Sequence, residues 1–167
     1  NGEDFYLGEK SGSYRQWSGE IINSFDNQNT INKASYWTEN NGNSRAELVI
    51  DNPFGENTEE FSKTESIKLS SEKTETLITE VPSIFEVQIT DILMSAWANA
   101  YGKWADTNNV LIDLEGHGRN EIEALDVSQT IGWFTTLTPV LLESEGDSDK
   151  LNTINKNASI IKDCLDN

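Results

Sequence analysis

The chain has 167 residues, 29 acidic and 12 basic, giving a formal net charge of −17. That charge repels both nucleic acid and anionic membrane surfaces, so neither is an expected partner. The apolar fraction of 35% is low, yet five Trp, six Phe and four Tyr supply enough buriable surface for one domain and exclude disorder throughout.

The first residues, Asn1-Gly2-Glu3-Asp4, are loop-like, lack an initiating Met and show no signal-peptide pattern. The chain is expected to be a piece of something longer. No apolar run approaches the ~18 residues that span a bilayer. The one cysteine, Cys164, has no second cysteine to pair with and reads as a small apolar residue beside a helix stripe. The expected location is the cytoplasm.

Ser13 and Gln16 form a capping box, and Tyr14, Trp17, Ile21 and Phe25 recur at helical spacing, which predicts a helix over 13–25. Tyr36-Trp37 is an aromatic anchor after a short polar break. Residues 39–45 and the acidic stretch 51–60 read as loops. Between them 46–50 is strand-like and stops at the turn signal Asp51-Asn52-Pro53. Over 61–70, Phe61, Ile67 and Leu69 share one parity, with Ser62, Thr64, Ser66 and Lys68 on the other, which predicts a half-exposed strand. Ser70-Ser71-Glu72 starts a short helix that carries Leu77, Ile78 and Val81 and ends before Pro82.

The clearest helix covers 88–104. Ile89, Ile92, Leu93, Ala96, Trp97, Ala100, Tyr101 and Trp104 form a wide stripe that is expected to be buried, and Asp91, Ser95, Asn99 and Lys103 fall outside it. Strands follow at 110–114 and 133–143. A last amphipathic helix carries Leu151, Ile154, Ala158, Ile161 and Leu165. Asn157-Ala158-Ser159 fits a glycosylation acceptor but is read as chance. The class is α/β, or α+β with a mixed sheet.

The chemistry-bearing residues cluster in Glu115-Gly116-His117-Gly118-Arg119. Side chains along 110–115 alternate, so Glu115 ends the strand on the face shared by Leu111 and Asp113. A carboxylate there, shielded by apolar neighbours, suits proton transfer, whereas a solvated or salt-bridged glutamate in a glycine turn fits the same spacing. His117, the only histidine, is either a base or a structural ring hydrogen-bonded within its own turn. A metal site would want partner His or Cys ligands beside it, and none is supplied, so no metal is expected. Arg119 either neutralises a nearby carboxylate or pins the loop. There is no GxSxG elbow and no Gly-rich phosphate loop with Lys.

Three segments together resemble, in order and spacing, the epimerization domains of non-ribosomal peptide synthetases. Asp91-Ile92-Leu93-Met94-Ser95-Ala96 resembles their DxLLxA helix, residues 115–119 match their EGHGR, and Thr130-Ile131-Gly132-Trp133-Phe134-Thr135 with Pro139-Val140 resembles their TVGWFT…PV. Leu7-Gly8-Glu9-Lys10, Tyr14, Trp17, Tyr36-Trp37 and Glu80-Val81-Pro82 agree with the flanking text. The resemblance implies a two-lobed, chloramphenicol-acetyltransferase-like condensation/epimerization fold. Residues 1–167 would be a fragment of one such domain, across the end of the first lobe and the start of the second.

The implied reaction inverts the α-carbon of an aminoacyl or peptidyl thioester, L to D. No cofactor is bound directly, because the substrate rides on the 4′-phosphopantetheine of a peptidyl carrier domain. Neighbouring adenylation and condensation domains are further expected partners. The resemblance makes Glu115 one acid/base, with Gly116, His117, Gly118 and Arg119 as the loop that shapes the site. Trp133, Phe134 and Thr135 either line the tunnel or are plain strand residues.

The second catalytic group belongs to an HHxxxDG motif that this sequence lacks, as it lacks the later FNYLG-type segment. The fragment alone is therefore expected to be inactive. Gln129 stands where Arg is usual, Asn120 where Glu is common and Thr138 where an aromatic is frequent. Ordinary condensation domains tend to lack EGHGR here, which favours epimerization. The alternatives are a condensation or dual condensation/epimerization domain, or a remnant that only docks a carrier.

Overall fold

A computed structural model of the chain describes residues 10–40, 49–119, 122, 125–146 and 149–166. Leu7, Gly8 and Glu9, residues 41–45 of the expected loop, residues 46–48 of the expected strand, and Asn120 lie outside the described residues. The chain divides into two units, one of Asn1–Asn43 with Asp113–Thr138 and Asn167, the other of Ser44–Ile112 with Pro139–Asp166. Among the described residues no helix is long and apolar enough to cross a membrane.

In the first unit, helix α1 (Tyr14–Ser24) begins at the expected capping box: Ser13 Oγ accepts from the Gln16 backbone N–H, and Gln16 Oε1 accepts from the Ser13 N–H. Helix α2 (Gln28–Asn40) follows where a polar break and an isolated aromatic pair were expected. Its Asn, Ser and Thr residues are weak helix formers, and its apolar residues are too few to print a period. The helix nonetheless places Lys33, Tyr36 and Trp37 half-buried at i, i+3 and i+4, with the two rings edge to face at 5.2 Å.

In the second unit, the alternating stretch 61–70 is not a strand. Phe61 closes a 3₁₀ turn (Glu59–Phe61), and the residues after it find no strand partner among the described residues, leaving Ile67 95% exposed. Alternation describes one chain's pleat, but a strand also needs a second chain to bond. Val49 and Ile50, the described end of the other expected strand, are likewise exposed and unpaired as strand. Helix α3 (Ser71–Thr79) starts as predicted, with Ser70 Oγ accepting from the Lys73 N–H. Pro82 does not stop the chain's helicity but sits in the first turn of a further short helix, α4 (Val81–Phe85), where its missing N–H costs nothing.

Helix α5 (Ile89–Ala105) matches its predicted span, but it buries a different face. Asp91, Ile92, Ser95, Ala98 and Gly102 are buried, while Leu93, Trp97 and Trp104 of the expected stripe are exposed. The reason is backbone approach: a Cβ on Gly102 would run into the Ser144 side chain, so only small residues fit along that side. Asp91 begins the helix, its carboxylate accepting the Gln88 N–H at 2.8 Å.

Strands β1 (Asn109–Gly116) and β2 (Thr136–Glu143) pair in a two-stranded sheet. The Ser144 N–H donates to Asn108 O at one end, and Gly118 meets Phe134 at the other, so the strands run antiparallel. β2 starts three residues later than predicted, which leaves Trp133, Phe134 and Thr135 in the loop before it. Helix α6 (Lys150–Asp166) packs against α5 and supplies Asn157, a fully buried side chain. Its Oδ1 accepts the Glu143 N–H at 2.9 Å, and its Nδ2 donates to Glu143 O at 3.0 Å and to Ser95 Oγ at 3.3 Å. The amide thus pairs with β2 as a neighbouring strand's peptide group would. Buried in this way, Asn157 is no glycosylation acceptor. Lys156 pairs with Glu143 and, at 3.4 Å, with Glu145, and the hydrogen bond to Glu143 foremost holds its ammonium above its ordinary pKa.

Candidate active site

Glu115 is the penultimate residue of β1, and the strand's exposure alternates as the sequence pattern requires. Val110 is buried, Ile112 and Leu114 half-buried, and Leu111, Asp113 and Glu115 exposed. The apolar shielding expected around the Glu115 carboxylate is not found among the described residues: the side chain stands in the open and makes no hydrogen bond or ion pair with any of them.

The turn beyond it is set by glycines and by two side chains. A Cβ on Gly116 would stand 2.9 Å from Thr136 Oγ1. Gly118 is buried with φ +62°, and a Cβ there would collide with the Phe134 carbonyl oxygen. Both the left-handed backbone and the close approach to the neighbouring chain demand glycine. The His117 ring is exposed and accepts the Arg119 backbone N–H on Nδ1 at 3.1 Å, closing the turn from within and leaving Nε2 toward solvent.

Arg119 reaches away from the strand end. Its Nη1 donates to Val127 O at 2.5 Å and to Thr130 O at 2.9 Å, and its guanidinium lies over the Phe134 ring at 4.3 Å. Two carbonyls and a π face hold a planar cation in one orientation. The carbonyls themselves belong to a turn, 127–130, closed by the Thr130 N–H donating to Val127 O at 3.0 Å. Asp126 braces the start of that turn by accepting the Ser128 N–H at 2.9 Å, and its hydrogen bonds from Ser128, the backbone one first, hold its carboxyl below the ordinary value.

Phe134 is only 2% exposed, because the rings of Tyr14 and Trp17 on α1 meet it edge to face at 5.1 and 5.0 Å. Trp133 is its opposite, 79% exposed. Two open grooves flank the turn and share His117 and Arg119. One, of about 500 Å³, is lined on its far side by Leu125 to Ser128. The other, of about 380 Å³, has Trp133, Phe134 and Thr135 in its wall. Among the described residues no three His, Cys, Asp or Glu side chains converge as a metal site would require.

The sequence alone does not reveal Thr130 and the Val127 carbonyl as Arg119's partners, or Tyr14 and Trp17 as Phe134's. All of these residues stand in or beside the motifs, but the bonds that join them are non-local.

A profile of the Condensation domain family matches residues 1–167, and the chain belongs to that family. Within it, the chain is 36% identical over 159 residues to one of the subunits of linear gramicidin synthase of Brevibacillus parabrevis, a span of 93% of this chain and 3% of that protein. It is 32% identical over 145 residues to gramicidin S synthase 1 of Brevibacillus brevis, covering 86% of this chain and 13% of the relative. The chain thus spans a small part of the length of these relatives. The crystal structure of the epimerization domain from the third module of tyrocidine synthetase B superposes with a TM-score of 0.84 at 28% identity, over 95% of this chain and 36% of that one. The fold is accordingly that of a condensation-type domain of a peptide synthetase, as the sequence motifs implied.

Proposed function

We propose that this chain is part of a domain that epimerizes the α-carbon of an aminoacyl or peptidyl thioester, with Glu115 as one of its two acid/base groups. The substrate arrives on the 4′-phosphopantetheine of a peptidyl carrier domain, and adenylation and condensation domains are the neighbours. In the forward step the Glu115 carboxylate takes the proton from Cα, and the electron pair left behind delocalises onto the thioester oxygen as an enolate. A second group on the opposite face, which this sequence does not carry, delivers a proton to Cα. Glu115, now protonated, loses its proton to solvent or returns it in the reverse reaction.

The observation that carries the reading is the state of Glu115: an exposed carboxylate at a strand end, with no part in the bonding of the described fold, on a turn fixed on its other side by Arg119. The likeness to a solved epimerization domain supports the same reaction class. Trp133, Phe134 and Thr135 beside His117 make the wall along which the pantetheine-borne substrate approaches.

The test is Glu115→Gln in the intact parent enzyme. A general acid/base contributes about 10²–10⁴-fold, so D/L equilibration of a carrier-bound aminoacyl thioester is expected to fall by at least ~10²-fold while the protein stays folded. Undiminished equilibration removes the assigned role. The family profile, which is that of a Condensation domain, leaves one competing reading open. If the parent forms peptide bonds without exchanging the substrate's α-proton into solvent, condensation replaces epimerization.

A further inference from the structure

The segment ahead of α1 runs along the loop that holds Arg119, and their bonding converges on one side chain. The Gly12 N–H donates to Asp126 O at 2.7 Å. Thr130 Oγ1 donates to Gly12 O at 2.5 Å and lies 2.9 Å from Ser11 Oγ. A hydroxyl carries a single proton, and Thr130's is directed at Gly12 O, so Ser11 supplies the proton between the two hydroxyls. The approach is close because residue 12 lacks a side chain: a Cβ there would stand 2.6 Å from Leu125 Cδ1.

Thr130 is thereby bonded in three directions. Its N–H closes the turn onto Val127 O, its carbonyl accepts Arg119 Nη1, and its hydroxyl fixes the turn to backbone 118 residues away in sequence. Arg119 in turn presents its own N–H to His117 Nδ1, within the turn that follows Glu115. We propose that Thr130 is a positioning residue for Glu115: its hydroxyl locks the 127–130 turn to the 11–12 backbone, keeps both carbonyls aimed at Arg119, and through Arg119 and His117 fixes the backbone turn that presents Glu115. The proposal rests on the reading of Glu115 as an acid/base. It extends the acting machinery to a residue that touches no reacting atom.

Thr130→Val tests it in the intact parent enzyme, because valine keeps the volume and the branched Cβ but loses the hydroxyl. Small misplacements of a reacting group cost up to about 10²-fold, so kcat for epimerization is expected to fall ~10–100-fold with KM for the carrier-bound thioester unchanged within about twofold. Thr130→Ser, which keeps the hydroxyl, restores kcat. Hydrogen–deuterium exchange of the same proteins, read on peptides spanning 115–119, is expected to quicken in the valine variant and not in the serine variant. Unchanged kcat, a loss that serine does not rescue, or unchanged exchange at 115–119 overturns the proposal. If Glu115→Gln keeps full activity, it is the reading of Glu115 that fails, and the exchange comparison still decides whether Thr130 holds the turn.

Discussion

At Gly118 two separate demands meet, and a second glycine allows them to be told apart. Gly118 and Gly146 both hold left-handed backbone, at φ +62° and +70°. Among the described residues nothing lies within 4 Å of a Cβ built on Gly146, whereas one on Gly118 collides with the Phe134 carbonyl. Alanine at either position bears the left-handed penalty of about 1–2 kcal/mol. At Gly118 it also forces the turn off the loop that leads into β2, an overpacking cost of roughly 1–3 kcal/mol more. Urea unfolding of the parent domain is therefore expected to rank Gly118→Ala well below Gly146→Ala, and only Gly118→Ala should also impair epimerization. Equal losses would show that the Phe134 backbone moves aside freely. Much of this was legible beforehand, since Glu115, His117 and Arg119 stand side by side in the sequence and strand alternation fixes the face of Glu115. Of the two roles open to Arg119, pairing with a carboxylate or pinning the loop, the structure shows the second; its partners were not legible, because Val127 and Thr130 offer it backbone carbonyls, which no side-chain pattern advertises.

Among the elements, the features legible in the sequence are those that a short stretch of chain decides for itself. The α1 capping box, the Ser70 cap of α3 and the span of α5 depend on neighbours within four residues. Which face of α5 goes inward depends on β2 and α6, and there the prediction failed. An apolar stripe marks a face that favours leaving water, but the side that meets another backbone closely must be small, and Ser95, Ala98 and Gly102 supply that side. Trp97 instead stacks on Tyr101 with centroids 5.5 Å apart, and Tyr101 meets Trp104 edge to face at 5.7 Å. The same argument makes Asn157 the polar residue to test. Asn157→Leu keeps roughly the same volume yet leaves the Glu143 N–H and C=O without their buried partner. Each orphaned group costs about 1–3 kcal/mol, so the parent domain's unfolding free energy should fall by roughly 2–6 kcal/mol. A loss below about 1 kcal/mol would mean that water reaches the edge of β2 and replaces the amide.

At the scale of the whole molecule, the proposed reaction asks for something the described motifs do not supply by themselves. Inversion needs a proton removed from one face of Cα and another delivered to the opposite face, and a single carboxylate can serve only the face it stands on. On the proposed reading Glu115 is one such group; His117, the only histidine, has Nδ1 engaged within its own turn on the same strand end. The HHxxxDG residues that the resemblance assigns to the other face do not occur in the sequence. The isolated 167-residue chain, given a carrier-bound aminoacyl thioester with deuterium at Cα, is therefore expected to produce no D-epimer above the rate in buffer. The measurement is chiral analysis of the hydrolysed amino acid beside mass analysis of its label. Loss of deuterium with the L configuration retained would fit one working base facing one side of the carbon. Formation of the D-epimer would show that a second group on this chain reaches the opposite face, and the division of the proton transfer between Glu115 and a group outside this sequence would then be wrong.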